Sequence, residues 1–285
     1  MTKILITNQQ LWPMRGTENW CLSVGMELVR RGHEVYVFSP NPRSGIPFFE
    51  NNGIKFTDSG DFDLVLENHN VLQKSRCKGK CIIHTCHGRI PEERPMEGAV
   101  NVGVAKATAD YWKLDTFIPN GVDCERFIPT TPVNNEIKNV LSLCSSVKAD
   151  EMLFEVCRKL GYKLKTTYNS EVPDVNLLIN GADLVFGVGR SVLDAMACGR
   201  PVISFDVRGY IGHPHGCGYV TPEMVRDNSD NMTGKDKVVD ENWVIEEIKK
   251  FRSEDGIRNR NYIEHFRNVN ETVDRYLQIY GTFGR

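Results

Sequence analysis

Short apolar runs alternate along this chain with longer stretches of helical spacing. The runs at 3–7, 35–39, 64–67, 81–85 and 100–105 are apolar or β-branched and have the length of buried parallel strands, and 117–119 ends another. Between the first two, Cys21, Val24, Gly25, Leu28 and Val29 recur at the period of a helix with one face on a sheet. Thr17 stands where its hydroxyl can cap that helix, and Gly32 where the helix would stop. The alternation resumes with strands over 139–144, 163–167, 182–186 and 202–205 and helices over 153–160 and 191–198. Residues 221–237 are polar and predict a loop, after which Asp240 can cap a helix carrying Trp243, Val244, Ile248 and Phe251. Tyr262, Phe266, Val269, Val273 and Tyr280 place one apolar stripe on a last helix. Strands and helices in alternation predict an α/β protein built on parallel sheets.

The pattern is interrupted at 127–137, FIPTTPVNNEI, which is rich in proline and polar residues and reads as a linker. With 285 residues, about twice a usual domain, the chain is expected to form two domains. A net charge of −2, with both signs interspersed, gives no general attraction to nucleic acid or to anionic lipid. The N-terminal apolar run is shorter than a secretory core, and no apolar stretch approaches the roughly twenty residues of a membrane span, so a cytoplasmic protein is expected. Cys77, Cys81, His84, Cys86 and His87 lie close in sequence, but alternate side chains on a strand point to opposite faces and do not converge on one ion. The nine cysteines are expected to be free thiols, and no metal site is expected.

The stretch 179–206 carries most of the candidate chemistry. Gly187 and Gly189 break the chain between an apolar strand and a helix, so that the helix beginning near Ser191 offers unpaired N–H groups to an anion. A Gly-x-Gly turn commonly serves only to turn tightly. Arg190 shifts the reading toward a phosphate, because a cation at a helix start opposes the helix dipole unless an anion joins it. Gly16 and Thr17 repeat the arrangement after the first strand, in a loop at the carboxyl end of a parallel sheet, where such sheets bind ligands, and are counted with Gly189, Arg190, Ser191, Asp194 and Lys148 as candidate donor-binding residues. His87 follows a strand directly and precedes the proline-rich charged segment 88–97, which places it at a ligand-facing position; His84 and His69 are read as structural histidines.

Four landmarks in this order, VRRGHEVYVFSP, IIHTCHG, FIPNGVDCERF and ADLVFGVGRSVLDAMACGRPVI, make the chain resemble the family 4 glycosyltransferases of GT-B fold over nearly its whole length. The resemblance implies two Rossmann-like domains facing across a cleft: 1–133 on the acceptor side, 134–257 holding a nucleotide-sugar donor, and a closing helix in 258–285 that crosses back to the first. It places the donor-phosphate helix on 189–194, with Asp194 at the second acidic position of the family's paired-glutamate motif and Phe186 at the first, where an aromatic ring cannot do a carboxylate's work. Where the family carries an arginine and a lysine on the diphosphate, this sequence has Ser145 or Ser146 and Lys148.

Transfer from such a donor requires stabilising the charge that builds on the leaving diphosphate. Lys148, Arg190 and the helix start at Ser191 are expected to do this without a metal or other cofactor, the nucleotide-sugar being a co-substrate. The resemblance also implies retention at the anomeric carbon, with His87 touching the sugar or the acceptor. An inverting reaction would instead make His87 or an acidic loop residue the first candidate base. Residues 40–50 and 88–97 are expected to face an acceptor of unread identity, and 208–219, with His213 and His215, to close over the donor. The alternatives are a nucleotide-sugar-binding protein that has lost turnover, motivated by Phe186, and a hydrolysing nucleotide-sugar epimerase. Neither glycine turn completes the G-x-G-x-x-G pattern of an NAD-linked oxidoreductase.

Overall fold

The computed structural model describes residues 1–285 except 169, 171, 173, 209–212, 235–237 and 284–285. The described chain forms two compact units, one of Met1–Asp123 with Asn268–Arg285 and one of Cys124–Arg267.

The first unit runs β1 (Lys3–Thr7), α1 (Gly16–Arg30), β2 (Glu34–Phe38), α2 (Ile46–Glu50), β3 (Lys55–Phe56), β4 (Ser59–Asn68), β5 (Arg76–Cys86), β6 (Val100–Gly103) and α3 (Lys106–Trp112). Its six strands pair in the order β3-β2-β1-β4-β5-β6 and all are parallel. Both faces of the central strand are covered, as its unbroken apolar run requires. Ile4 and Ile6 join Trp20, Cys21, Val24 and Leu28 in one cluster, while Leu5 packs with Phe38, Phe62 and Val65 on the other side. β4 and β5 extend well before their apolar runs, because their polar first halves pair with each other at a less buried end of the sheet. Phe117 makes one isolated bridge to Gly103, so the strand expected to end at 117–119 is absent among the described residues. Pro119 has no N–H with which to extend such a ladder.

α1 begins two residues earlier than a cap at Thr17 would place it. Arg15 is its N-cap, and the Arg15 backbone N–H donates to the Glu18 carboxylate at 3.2 Å. Thr17 therefore lies inside the first turn and does not cap the helix; its hydroxyl is 3.5 Å from Asn8 Nδ2.

The second unit runs β7 (Asn139–Ser142), α4 (Val147–Leu160), β8 (Lys163–Thr166), α5 (Val175–Asn180), β9 (Leu184–Gly187), α6 (Arg190–Ala197), β10 (Val202–Asp206), β11 (His215–Tyr219), α7 (Pro222–Asp227), α8 (Glu241–Ile248) and α9 (Asp255–Phe266). Strand order is β11-β10-β9-β7-β8, parallel except for β11. Val140, Leu153, Val156, Phe186, Phe205, Val244 and Ile248 form its main core. Asp240 caps α8 as expected, accepting from Trp243 N at 2.8 Å. The polar stretch after 221 corrects the loop expectation in part: Thr221 accepts from Met224 N at 3.3 Å and starts α7, whose single buried apolar side chain, Val225, leaves almost no periodic signal. α5 escaped notice for a similar reason, being six residues long and started by Asp174 accepting from Asn176 N at 3.0 Å.

The last apolar stripe belongs to two helices rather than one, α9 and α10 (Val269–Phe283), separated at Arg267 and Asn268. α9 is tied into the second unit, where the Arg260 guanidinium donates to the carbonyls of Cys124 at 3.0 Å and Ala197 at 2.7 Å. α10 completes the first unit: Tyr276 lies edge-on to Trp20 at 5.7 Å, and its hydroxyl is 2.9 Å from Thr85 Oγ1. The stretch read as a linker is held on the second unit, with Thr130 N donating to Asn180 Oδ1 at 2.7 Å and Asn134 Nδ2 to Asp183 Oδ1 at 2.8 Å. The units divide after Asp123 and Arg267, where the resemblance implies 133 and 257. Among the described residues no helix is long and apolar enough to cross a membrane, and no group of three or more histidine, cysteine or acidic side chains has the arrangement of a metal site. All nine cysteines are free thiols.

Candidate functional site

In the second unit the strand order reverses at β7, with β8 on one side and β9 on the other, and ligands of open parallel sheets bind outside the carboxyl ends at such a point. The segments leaving β7, β9 and β10 are tied together there. Leu143 N donates to Phe186 O at 2.8 Å, and Ser145 N lies 3.2 Å from both carboxylate oxygens of the buried Asp206. α4 and α6 both start from these segments, and neither N-cap residue, Ser146 or Gly189, gives its helix a side-chain cap. The two glycines of the turn have different reasons. A Cβ on Gly187 would sit 2.3 Å from Ser191 Oγ, which donates to Val188 O at 2.8 Å. Gly189 has φ 61° and ψ −127°, a backbone region essentially restricted to glycine.

The charges around this turn are distributed differently from the sequence expectation. Arg190 is 5 % exposed, and its Nε lies 3.3 Å from Oδ1 of Asp194, one turn further along α6. The anion required by a cation at that helix start is thus supplied by the helix itself. Burial pushes the Asp194 carboxyl above its usual range against the pull of Arg190 and Arg126. Lys148 is exposed at the second position of α4, and Ser191 is half-buried in the first turn of α6. Arg208, which the sequence placed only within a closing loop, has Nη2 3.9 Å from where a Cβ of Gly189 would lie and Nε 3.4 Å from Asp206 Oδ2. Its signal in the sequence was an arginine two residues beyond an apolar strand, at the end of the sheet where anions bind. Phe186 belongs to the core, edge-on to Phe205 at 6.3 Å. His215 is fully buried on β11, and burial lowers its pKa; His213 is half-buried beside it. Residues 209–212 of the expected closing loop lie outside the described residues.

The first unit has its own reversal, between β1 and β4. The carboxyl ends of β1, β4 and β5 bring together Thr7, Asn8, Glu67, Asn68, His69 and His87, with Glu18 added from α1 and Glu93 from a 3-10 turn at Pro91–Glu93. His87 is held from two sides. Its Nε2 is 2.8 Å from Asn68 Oδ1, and its backbone N–H donates to Glu93 Oε2. Trp20 meets the His87 ring edge-on at 5.2 Å. His69, read from sequence as structural, has Nε2 3.3 Å from Glu93 Oε1, and its ring stacks with that of His87 at 6.2 Å.

Burial pushes Glu93 up, but His69, His87 and the His87 N–H outweigh it and hold its pKa below the usual value. Burial pushes His69 down, and Glu93, Glu18 and Glu67 carry it above its usual value. Glu18 and Glu67, dominated by burial, are both raised. His84 is lowered to about 4 by burial and stays neutral, in keeping with a structural role. Gly16 is exposed at the start of α1, with nothing within 4 Å of where a Cβ would lie.

No protein-family model matches the chain, and no curated protein matches it in sequence. Solved structures do match it in fold. A glycosyltransferase from Rickettsia africae superposes with a TM-score of 0.62 at 12 % identity, over 99 % of this chain and 98 % of that one. HepE of Anabaena, solved in complex with UDP and glucose, gives 0.62 at 13 % identity over 99 % and 100 %. WaaG, a glycosyltransferase involved in lipopolysaccharide biosynthesis, gives 0.57 at 13 % identity over 97 % and 99 %. The fold of this chain, two parallel-sheet units matched from end to end, is that of the GT-B glycosyltransferases.

Proposed function

We propose that the chain is a glycosyltransferase that moves a sugar from a nucleotide-sugar donor to an acceptor hydroxyl, of the family 4 type, retaining at the anomeric carbon and independent of metal. The observation that carries this reading is that two helices start at the strand reversal of the second unit, α4 with Lys148 at its second position and α6 with Arg208 beside Gly189. As the sugar departs, negative charge builds on the diphosphate. N–H dipoles at the starts of α4 and α6, with Lys148 and Arg208, would meet that charge with donors already oriented, which costs no reorganisation at the moment of reaction. Arg190 is proposed in a narrower part: paired with Asp194, it holds the first turn of α6, with Gly189 and Ser191, against the phosphate. In the first unit, Gly16 and Thr17 in the first turn of α1 and the ring of His87 are proposed to face the sugar or the acceptor. The UDP and glucose bound by HepE make a uridine-diphosphate hexose the first donor to try.

The test is calorimetry with UDP and GDP, followed by transfer and hydrolysis assays over a panel of sugar nucleotides. Lys148→Ala and Arg208→Ala are each expected to weaken nucleotide binding roughly 10- to 100-fold, the worth of one charge-assisted hydrogen bond. Dialysis against EDTA is expected to leave turnover unchanged, and the product anomer, read by NMR, to keep the donor's configuration. Undiminished binding in both variants would remove the assigned phosphate site.

A further inference from the structure

Asp206, the last residue of β10, is fully buried, and its carboxylate serves two segments that leave the sheet on opposite sides of β9. Val207 N donates to Oδ1 at 2.7 Å, and Arg208 Nε lies 3.4 Å from Oδ2, both on the segment that leaves β10. Ser145 N, 3.2 Å from both oxygens, belongs to the segment that leaves β7. Strand order places β9 between β7 and β10, so the segment from β7 crosses the end of β9 to make this contact. Its course is fixed on the way, where Leu143 N donates to Phe186 O at 2.8 Å and Cys144 Sγ to Phe205 O at 3.1 Å. Asp150, in the first turn of α4, accepts from Ser142 Oγ at 2.6 Å and ties the helix back to β7.

Two backbone N–H groups need an acceptor oxygen but no charge: an asparagine side chain can accept both, and a fully buried carboxylate is costly unless cations and donors meet it. The charge has a use where cations collect. Ser145 leads directly into Ser146, the N-cap of α4, and Lys148, while Arg208 stands beside Gly189 at the start of α6. One carboxylate therefore fixes, relative to each other, the two segments that carry Lys148 and Arg208. We propose that Asp206 is a positioning residue of the phosphate site: it touches no ligand itself, and it holds the start of α4 and the Arg208 side chain in the arrangement that receives a diphosphate. This rests on the donor site proposed for the second unit. Cations set in place before the donor arrives need no reorganisation as charge builds on the leaving group, and Asp206 keeps Arg208 there with or without an anion beside it.

The experiment is calorimetry on the full chain with UDP and GDP, with uridine and guanosine as their phosphate-free counterparts, and with inorganic pyrophosphate, in wild type, Asp206→Asn, Arg208→Ala and the double variant. Asparagine keeps the shape of the side chain and one acceptor oxygen and removes the charge. In Asp206→Asn, affinity for pyrophosphate and for the nucleoside diphosphate should fall roughly tenfold, as expected for a small misplacement of positioned groups, while the nucleoside binds as before. On the Arg208→Ala background the same substitution should cost about threefold or less, because residues of one network do not lose their effects independently. Equal losses for nucleoside and nucleoside diphosphate would show that Asp206 serves the fold alone. Undiminished pyrophosphate binding in Asp206→Asn, or losses that multiply in the double variant, would equally overturn the proposal. Where Asp206→Asn does not fold, amide hydrogen exchange in wild type decides: the Ser145 N–H should be protected with and without pyrophosphate, and those of Val147 and Lys148 only with it. Rapid exchange at Ser145 in the ligand-free chain, or exchange at Val147 and Lys148 that pyrophosphate leaves unchanged, overturns the proposal. If pyrophosphate shows these effects while neither UDP nor GDP binds, the nucleotide-sugar reading fails and the role of Asp206 stands; if none of the three binds, both fall.

Discussion

Arg190 and Asp194 hold opposite charges where water barely reaches, 5 % and 3 % exposed, and that fixes what each can do. Removing Arg190 leaves the buried Asp194 with only part of its compensation, from Arg126, whereas replacing both members of the pair with apolar groups of similar size leaves no buried charge behind. Arg190→Ala is therefore expected to lower stability by about 3–5 kcal/mol, and Arg190→Met with Asp194→Leu to recover most of that loss, read as urea midpoints at constant slope. Equal losses in the single and double variants would show that the two side chains are not coupled. Arg190 itself was legible, as a cation needing an anion at a helix start; its partner was not, because the sequence does not show which way a long side chain turns. The group at His87 was less legible still. His69 and His87 meet because β4 and β5 run in parallel with Asn68 beside Thr85, a register that no local pattern announces. Glu93 comes from a proline-rich segment whose course depends on Asn70.

At the scale of elements, the strands were readable wherever both faces are buried, since continuous apolar runs and period-3.6 stripes survive any surface variation. Short elements with one buried side chain, such as α7, were not. Neither was the separation of α9 from α10, because one apolar stripe continues on both sides of it. The structure shows what that separation serves. Val269 N donates to Val122 O at 2.9 Å, and the Thr272 hydroxyl to Pro119 O at 3.0 Å, so α10 starts against the segment that closes the first unit. Gly121 makes the approach possible: a Cβ there would lie 2.5 Å from Thr272 Oγ1, 2.7 Å from Val269 Cα and 2.8 Å from Asn268 O. Two of those atoms are backbone and cannot rotate away. Gly121→Ala is expected to cost roughly 1–3 kcal/mol, as overpacking does, and to increase hydrogen exchange in α10 before the rest of the first unit. Wild-type exchange protection in α10 would sink that assignment.

For the whole molecule these local charges sum to a dependence of stability on pH. His69 titrates above its ordinary 6.5, so the stability it contributes is complete below 6.5 and is lost as pH rises through its raised value. Glu93 titrates below its ordinary 4.5, so its share is complete above 4.5 and is lost as pH falls through its lowered value. The pair therefore acts at full strength between 4.5 and 6.5. Glu18 and Glu67 are raised instead, so ionising them in place costs stability as pH climbs from 4.5 through their shifted values. His84 works from the other side: lowered from 6.5 to about 4, it stays neutral in the fold while the unfolded chain takes up a proton, and stability declines as pH falls through that interval. The buried His215 is lowered as well and adds to the decline. Between 4.5 and 6.5 these slopes oppose one another; above 6.5 the loss of the His69 contribution and the cost of ionised Glu18 and Glu67 act in the same direction, and stability declines. Urea midpoints measured from pH 4 to 9 should decline from pH 6.5 toward pH 8, and Glu93→Gln should flatten that decline while leaving the fall set by His84 on the acid side in place. A wild-type midpoint that rises steadily from pH 6 to 8 would mean that the His69–Glu93 pair does not hold in solution.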